Sequence, residues 1–310
     1  MFSVTLSRYF GMPDVLLTSS GSAAIIVALK ANEIPQGSEV IIPASCCPIV
    51  LFTLQLAGYK PVLADVEVAT LNCSAANIAA RLNDKTGAIL AVHGYGGPCD
   101  IEAIMQLGKL HGVTVIEDAC LAYGGMLNGI PLGGIADTTV LSFGYDKPIA
   151  FGYGGAVLFR DQGAATRALA YLNENTLLRF CQHQDVSVLH ELFLQLPEFT
   201  QQRLENILLV KQTINTPLFS HPEAQPDTPF WRYPLLMTID RRDDFINYAR
   251  QREMVFTTHY QSLGALMTMS DVDNADFIAK RVINLFVRAE TRPQQLLDMI
   301  DIVNEYRYES

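Results

Sequence analysis

Short apolar strands alternate with helical stretches through the first 160 residues, and this alternation restricts the fold more than any other feature of the sequence. The apolar segments predict strands at residues 15–18, 39–42, 61–63, 88–93, 113–117, 138–143 and 155–159. Helical spacing predicts helices between them, at residues 22–32, 49–58 and 101–111. Such alternation is typical of an α/β fold with a mostly parallel, doubly wound sheet. Ligands of these folds bind beyond the carboxyl ends of the strands.

The pattern changes after residue 160. Residues 164–209 are predicted to be largely helical, with an interruption at Pro197, and residues 217–229 form a loop rich in proline and acidic residues. A strand at residues 231–239, helices at 243–252 and 275–286, and a final segment at 294–306 complete the chain. We therefore predict a large domain at residues 1–215, which includes the helical segment 161–215, and a small C-terminal α/β domain at residues 216–310.

The composition disfavours several classes of partner. The chain has 310 residues, with 22 basic and 32 acidic side chains and a net charge of −10. Nucleic acid and anionic membranes are therefore unexpected partners. No apolar run reaches the roughly 18 residues of a membrane span, and the N-terminus lacks the pattern of a signal peptide. The six cysteines include no CxxC pair and no histidines at metal spacing, which predicts no metal site and a reduced, cytoplasmic environment.

An acid, a hydroxyl, a lysine and a glycine run occur in a suggestive order. Asp118 ends a predicted strand, Ser142 lies five residues before Lys147, and glycines 152, 154 and 155 follow the lysine. An enzyme that uses pyridoxal phosphate (PLP) needs a lysine for the Schiff base and an acid that keeps the pyridine nitrogen protonated. The hydroxyl can hold the phosphate, and the glycines allow close approach of the chain beside the cofactor.

Two further segments contain candidates for the same site. Gly21 and Ser22 precede an apolar helix, whose free N–H groups can bind a phosphate; an ordinary serine N-cap is the alternative interpretation. His93 ends another predicted strand, and it is either a site residue or a packed or capping histidine. Because Asp118, Ser142, Lys147 and His93 all lie at or just past strand ends, they could converge on one crevice.

Seven blocks of sequence, in order, resemble the DegT/DnrJ/EryC1/StrS family of fold-type-I, PLP-dependent sugar aminotransferases. The blocks lie at residues 18–24, 43–48, 58–66, 92–96, 117–119, 142–147 and 152–157. The resemblance is weaker over residues 230–310, where Thr258-His259-Tyr260 is similar to a His-Tyr-Pro segment of the family. It implies Lys147 and Asp118 as catalytic residues, His259 and Tyr260 as substrate neighbours, and the following cofactor contacts: Gly21, Ser22, Cys47, Asp118, Ser142 and Lys147.

The resemblance also implies a reaction and an assembly. The expected activity is transfer of an amino group, with glutamate as the donor, to a nucleotide-linked keto-sugar in cell-surface polysaccharide or secondary-metabolite biosynthesis. A smaller, non-nucleotide metabolite is the alternative acceptor. Members of the family suggest a homodimer with composite sites, and the apolar segment 188–196 is a candidate contact.

Several positions depart from the pattern of the family. Leu121 stands where many members have a glutamine that bonds the phenolic oxygen of the cofactor, and Cys47 stands where an aromatic residue commonly stacks on the ring. The family's Asn-Tyr-Arg segment has no clear counterpart between residues 160 and 209. In this region the chain is also shorter than typical members of the family. These departures leave open a PLP-fold protein that no longer transaminates and has a regulatory or partner role.

A nicotinamide-binding motif is a competing interpretation of residues 89–99. This segment reads as a strand, a glycine loop and a helix, and Asp118 lies at a suitable distance downstream for a ribose hydroxyl. However, Cys99 occupies the third glycine position, Pro98 interrupts the loop, and the motif does not follow the first strand. The sequence therefore favours PLP.

Overall fold

The computed structural model describes residues 1–180, 183–269 and 271–308, with only the backbone at residues 183 and 184. Its helices are α1 (Phe2–Phe10), α2 (Gly21–Ala31), α3 (Pro48–Leu56), α4 (Ala75–Ala79), α5 (Ile101–His111), α6 (Gln162–Glu174), α7 (His183–Leu194), α8 (Leu196–Thr213), α9 (Arg242–Arg250), α10 (Leu263–Met267), α11 (Asp273–Arg281) and α12 (Pro293–Glu305). Its strands are β1 (Asp14–Thr18), β2 (Glu39–Pro43), β3 (Lys60–Ala64), β4 (Thr86–Val92), β5 (Thr114–Asp118), β6 (Met126–Leu127), β7 (Ile130–Pro131), β8 (Thr138–Ser142), β9 (Gly155–Phe159), β10 (Phe219–Ser220), β11 (Tyr233–Met237) and β12 (Val282–Leu285). Short 3-10 helices cover Gly94–Gly96 and Thr176–Leu178.

A seven-stranded sheet organises the first half of the chain, in the order β1-β9-β8-β5-β4-β2-β3. Strands β3, β2, β4, β5 and β8 are parallel, whereas β9 pairs antiparallel with β8 and with β1. Alternate residues of β8 face different cores: Val140 packs in the core beneath α2 and α6, and Leu141 packs in the core beneath α1 and α7. Helices therefore cover both faces, and the predicted α/β fold with a mostly parallel, doubly wound sheet is confirmed.

The strand pattern of the sequence predicted this sheet well. All seven predicted strands are present, with ends that differ by at most two residues. The predicted helices of this region correspond to α2, α3 and α5. Helix α1 was not predicted, although Phe2, Leu6 and Phe10 recur at the helical spacing of four residues and are all buried.

The helical region after residue 160 divides into α6, α7 and α8. Pro197 interrupts it as predicted, since α7 ends at Leu194 and the proline lies in the first turn of α8. Proline fits this position because the N–H groups of a first turn have no acceptor inside the helix.

The prediction of one helix at residues 275–286 is wrong at its C-terminal end. Helix α11 ends at Arg281, and Val282–Leu285 forms strand β12, which pairs antiparallel with β11. All four residues of β12 are buried, and Ile283 lies opposite Leu235. The β-branched pair Val282-Ile283 suits such a pleated, buried surface, and the pairing with β11 outweighs the local helical spacing.

Strands β10, β11 and β12 form a three-stranded sheet of their own within residues 216–308. Residues 217–229, predicted to be a loop, contain β10, the first strand of this sheet. Asp65, just after β3, bonds to α11, because its carboxylate accepts the N–H groups of Asn274 (3.1 Å) and Ala275 (2.9 Å) at the start of that helix. The domain division at residues 215 and 216 stays a prediction.

None of the helices that the structure describes combines the length and the apolar character that a membrane crossing requires.

Candidate active site

A cavity of about 450 Å³ lies at the carboxyl ends of the parallel strands. Its wall includes the residues that the resemblance implies for catalysis, cofactor and substrate: Gly21, Ser22, Cys47, Asp118, Ser142, Lys147, His259 and Tyr260. Tyr95, Leu121, Trp231 and Arg232 are also part of the wall. The fold thus gathers side chains from the large sheet and from the segment between β11 and β12 into one space, while the role of each residue stays a prediction.

The start of α2 forms one end of the cavity. Ser20 is the N-cap, and its Oγ accepts the N–H of Ala23 at 3.1 Å. The alternative interpretation of Ser22 as the N-cap is therefore wrong, because Gly21 and Ser22 already belong to the first turn of the helix. A Cβ at position 21 would lie 2.9 Å from the Cβ of Ser142, so glycine lets α2 approach the end of β8. First-turn N–H groups beside a serine hydroxyl suit a phosphate.

Asp118 is the last residue of β5, and only 4% of it is exposed. Its Oδ1 accepts the N–H of Cys120 at 3.0 Å, so the carboxylate does bond nearby backbone as a strand-end acid can. It also lines the cavity. A carboxylate held in this way is oriented before any ligand arrives, which is what a partner for a pyridinium nitrogen requires.

The loop after β8 carries Lys147. Ser142 ends the strand, and its Oγ accepts the N–H of Gly144 at 3.3 Å. Asp146 adopts φ of 61°, a left-handed conformation that is uncommon for a residue with a side chain. Its carboxylate forms ion pairs with Arg232 and Arg288, which lie before and after the last two strands of the small sheet. These ion pairs stabilise the turn that places Lys147 at the cavity.

Trp231 and Arg232 are site residues that the sequence did not reveal. The indole N–H of Trp231 donates to the carbonyl of Asp146, and the guanidinium of Arg232 lies 4.3 Å from the centre of the Trp231 ring. Trp231 is the single tryptophan of the chain. Its position at the start of a predicted strand was the available signal, but only the packing of the small sheet against the lysine loop gives it a partner.

Tyr123 connects the two loops that carry Asp118 and Lys147. Its hydroxyl accepts the N–H of Ile149 at 2.9 Å and lies within hydrogen-bond distance of the carbonyls of Ser142 (3.0 Å) and Ile149 (3.3 Å). Burial raises the pKa of this hydroxyl well above its usual range, so it stays protonated and can donate. Tyr123 is a residue that the sequence analysis did not assign to the site.

His259 and Tyr260 form the side of the cavity that faces Cys47. The Nε2–H of His259 donates to the carbonyl of Ser45 at 2.9 Å, and its ring lies 4.3 Å from that of Tyr95, centre to centre. Burial lowers the pKa of His259 to about 4, so the imidazole is neutral near pH 7. Burial and the neighbouring thiol of Cys47 raise the pKa of Tyr260 to about 12, so its hydroxyl remains a donor.

His93 does not join the other strand-end residues, and the predicted convergence is wrong for this residue. Its neighbours Val92 and Gly94 line the cavity, whereas His93 is fully buried away from it. Its Nδ1 accepts the N–H of Cys99 at 3.1 Å, and its Nε2 lies 2.9 Å from Oε1 of Glu117. His93 is therefore a packed structural histidine.

The geometry also disfavours the nicotinamide interpretation. Gly94–Gly96 forms a 3-10 turn, and the N–H of Gly94 donates to Oδ1 of Asn72 at 2.6 Å. Helix α5 begins only at Ile101, so the glycine loop does not open directly into a helix N-terminus. Asp118 faces the cavity that contains Lys147.

The residues of the cavity fit PLP. The first turn of α2 and the Ser142 hydroxyl match a phosphate, Asp118 matches a pyridinium nitrogen, and Lys147 can reach an aldehyde in the same cavity. Leu121 offers no hydrogen bond to a phenolic oxygen, and Cys47 offers a polarizable contact but no aromatic ring. The charged and polar contacts of the cofactor are thus present, while two of the family's auxiliary contacts are replaced.

Comparison with known proteins agrees with this chemistry. The sequence profile of the DegT/DnrJ/EryC1/StrS aminotransferase family matches residues 1–304. GDP-perosamine synthase of Escherichia coli O157:H7 is 26% identical over 306 residues, which cover 93% of this chain and 84% of that protein. GDP-perosamine synthase of Vibrio cholerae is 31% identical over 176 residues, 57% of this chain and 48% of that protein. This second match therefore spans about half the length of the relative.

A third relative carries a different name. The pleiotropic regulatory protein of Geobacillus stearothermophilus is 32% identical over 195 residues, which cover 59% of this chain and 52% of that protein. The solved structure of S. venezuelae DesV superimposes with a TM-score of 0.91 at 23% identity, covering 99% of this chain and 89% of that one, and shows the same fold.

Members of the matched family are PLP-dependent aminotransferases, so the family predicted from the sequence, the enzyme class and the cofactor are confirmed at the level of the family. This chain belongs to the DegT/DnrJ/EryC1/StrS aminotransferase family.

Proposed function

We propose that this chain is a PLP-dependent aminotransferase that moves an amino group from glutamate to a nucleotide-linked keto-sugar, in cell-surface polysaccharide or secondary-metabolite biosynthesis. The observation that carries the proposal is a single cavity that holds Lys147, Asp118, Ser142 and the first turn of α2. The names of the two GDP-perosamine synthases support a sugar acceptor.

Each residue of the cavity has a separate role in the proposed reaction. When bound, PLP supplies an electron sink for the bond that breaks at the substrate Cα. Lys147 would hold the cofactor through its aldehyde, and its amine would act as general base and acid for the proton at the substrate Cα. Asp118 holds the proton on the pyridine nitrogen. The N–H groups of Gly21 and Ser22, together with the Ser142 hydroxyl, bind the phosphate.

The residues between β11 and β12 line the side of the cavity that would contact the substrate. Neutral His259 adds no charge beside the reacting atoms, and its bond to Ser45 keeps its ring against Tyr95. The protonated hydroxyl of Tyr260 can donate to a sugar oxygen at the entrance. Such contacts away from the reacting atoms position the substrate as well as bind it.

The test is a two-stage half-reaction. The PLP-loaded protein is treated with glutamate, and the resulting pyridoxamine form is then offered GDP- and dTDP-linked keto-sugars and, separately, small ketones. We expect glutamate to bleach the visible cofactor band and a nucleotide-linked keto-sugar to restore it. Restoration by small ketones alone would overturn the sugar acceptor and retain the aminotransferase. No bleaching with any amino donor would overturn both.

A homodimer is part of the proposal, and α3 is the preferred contact surface. Three apolar side chains on α3 are exposed, Ile49 by 53%, Phe52 by 47% and Leu56 by 88%, and Ile49 also lines the cavity. The segment 188–196, the contact that the sequence suggested, fits this role less well because Leu189, Phe193 and Leu196 are buried in the core beside α1.

Sedimentation of charged variants tests this surface. Leu56→Asp should shift the protein from dimer to monomer, because a carboxylate in an apolar contact loses its hydration without gaining a partner. Leu110→Asp is the matched control, since Leu110 is 79% exposed on α5. A wild-type monomer with full activity would refute the dimer, and a dimer that persists in Leu56→Asp would remove α3 from the contact.

A regulatory role without transamination is the second candidate. Two observations favour it: Leu121 replaces a cofactor-bonding glutamine, and one relative is named a pleiotropic regulatory protein. The candidates differ in one measurement, because a regulator of this kind would bind PLP without bleaching on addition of glutamate.

We also propose a cytoplasmic location. The five cysteines within the described part of the chain are free thiols, four of them buried. Free thiols are usual in proteins that work in a reducing compartment.

A further inference from the structure

A second cavity, of about 480 Å³, lies on the other side of the loop that carries Lys147. We call it the rear cavity and the site described above the front cavity. Residues 146–150 separate the two, helix α8 contributes Arg203, and the chain after β12 contributes Arg288 and Glu290. None of these three residues lines the front cavity, so the two spaces have different chemistry on the two sides of one loop.

Arg203 is the unusual feature of the rear cavity. It is only 7% exposed, and its Nε finds no hydrogen-bond acceptor within residues 1–180, 183–269 and 271–308. Nor does its guanidinium form an ion pair with any residue in those ranges. Burial lowers the pKa of Arg203, while Glu290 and Tyr123 act in the opposite direction from nearby. A guanidinium remains charged in proteins, so Arg203 is a largely buried cation whose Nε has no partner among the described residues.

The charges around Arg203 do not balance it. The rear cavity is lined by three cations and two carboxylates: Lys147, Arg203, Arg288, Asp146 and Glu290. Asp146 is already engaged, because it pairs with Arg288 and also with Arg232 of the front cavity. Glu290 is exposed and forms no salt bridge with Arg203. Burial of an unpaired charge is costly, so the space favours an added negative charge.

We propose that the rear cavity is a binding site for a small oxyanion, a carboxylate or a phosphate, held between Arg203 and Arg288. Guanidinium groups present parallel N–H donors that match the paired oxygens of these anions. The site does not depend on the proposed amino transfer, because Arg203 and Arg288 both lie outside the front cavity.

Binding there has a consequence for the front cavity. An oxyanion at Arg288 competes with Asp146 for the same guanidinium, and Asp146 directly precedes Lys147. The loop that presents Lys147 is therefore sensitive to the occupant of the rear cavity. Because such coupling between two sites is reciprocal, a front ligand also changes the affinity for the anion.

The test measures the thermal transition of the full-length, PLP-loaded protein during titration with inorganic phosphate or, in a separate arm, succinate. Ionic strength is held constant with sodium chloride, and PLP occupies the front phosphate position. A ligand that binds only the folded state raises the transition temperature saturably. We expect a saturable rise for the wild type, none for Arg203→Met, and at least a several-fold weaker affinity for Arg288→Gln. The arm with the tighter affinity identifies phosphate or carboxylate as the preferred anion.

Arg250→Met is the matched control, because Arg250 is exposed on α9, outside both cavities. It should respond as the wild type does. Glu290→Gln removes the carboxylate that competes for Arg203, so it should bind the anion several-fold more tightly, and it keeps the test decisive if Arg203→Met does not fold. A wild type without a saturable response, or an Arg203→Met protein that responds like the wild type, would overturn the proposal. If the protein takes up no PLP, the comparison of Arg203→Met with Arg250→Met in the untreated protein still decides it.

Discussion

The two cavities on either side of the Lys147 loop differ in how their charged groups are held. In the front cavity, Asp118 accepts the N–H of Cys120, and Ser142 accepts that of Gly144, so each group is oriented by its own chain within two residues. In the rear cavity, Arg203 has no such local partner in the described part of the chain. Groups that are oriented in advance suit chemistry, because they need no reorganisation during reaction. A buried charge without a partner suits recognition of a charged ligand.

The largest expected effect concerns Lys147, and it tests whether the front cavity is the chemical site. If the front cavity is the chemical site, Lys147→Ala should lower the rate of amino transfer by at least about 10³-fold, since it removes both the covalent attachment and the proton-transfer group. The measurement is the single-turnover rate with glutamate. Borohydride reduction followed by peptide mapping should place the pyridoxyl group on Lys147.

Lys60→Ala is the control for Lys147→Ala. Lys60 is exposed at the start of β3, away from both cavities. Its removal should leave the rate and the labelling unchanged. Label found on Lys60, Lys85 or Lys109 of the wild type would show that the front cavity is not where the cofactor attaches.

The next effect distinguishes two aspartates at strand ends of the large sheet. Asp118→Asn should retain PLP but lose about 10²-fold or more in the rate of amino transfer, because the amide cannot keep the ring nitrogen protonated. Asp65, just after β3, instead accepts two N–H groups at the start of α11. Asp65→Asn should therefore lower the free energy of unfolding by about 1–3 kcal/mol and leave the rate per folded molecule unchanged. Near-normal turnover in Asp118→Asn would make Asp118 a structural acid like Asp65.

The same comparison explains what the sequence could predict. Asp118 and Ser142 are the last residues of β5 and β8, and the strand pattern alone places such residues at one edge of the sheet. Arg203 and Arg232 enter their cavities from α8 and from the small sheet. Their positions depend on how distant segments pack, which no local pattern records. The strand-end residues of the front cavity were therefore accessible to sequence reasoning, whereas Arg203 and Arg232 were not.

The errors have the same origin. His93 follows a strand end as Asp118 does, but the pleat of the strand turns it away from the cavity and towards Glu117. Residues 282–285 have helical spacing in the sequence, but their pairing with β11 makes them a strand. Strand ends could be located from periodicity, whereas the direction of one side chain and the choice between helix and strand were decided by tertiary contacts.

A smaller effect should appear in the pH dependence of stability. The pKa of His259 falls from its ordinary value of 6.5 to about 4 on folding, because burial disfavours the charged ring. Between these values the unfolded chain binds a proton that the folded chain does not, so stability falls as pH decreases from 6.5 to 4. The loss should reach about 3 kcal/mol at pH 4, measured by urea unfolding.

His259→Gln should flatten this part of the pH profile. His111→Gln is the control, since His111 is exposed at the end of α5 and its removal should leave the profile unchanged. If His259→Gln and the wild type lose stability in parallel between pH 6.5 and 4, the imidazole is not held neutral against Ser45. The side chains of the front cavity are then less firmly oriented before ligand binding than we propose.

The smallest expected effect concerns Tyr123, which contacts the walls of both cavities. Its hydroxyl binds the backbone at Ser142, in the front cavity, and at Ile149, in the rear cavity. Tyr123→Phe leaves the buried N–H of Ile149 without its acceptor and should lower the free energy of unfolding by about 1–2 kcal/mol. Because the loop between the cavities would then be held less firmly, the variant should also weaken both PLP retention and the Arg203-dependent anion response, each by a few-fold. Thermal unfolding and the two titrations measure these changes separately. Loss of stability with both affinities unchanged would mean that the loop is positioned by Asp146 and its two arginines alone, and that the cavities are coupled through those ion pairs rather than through Tyr123.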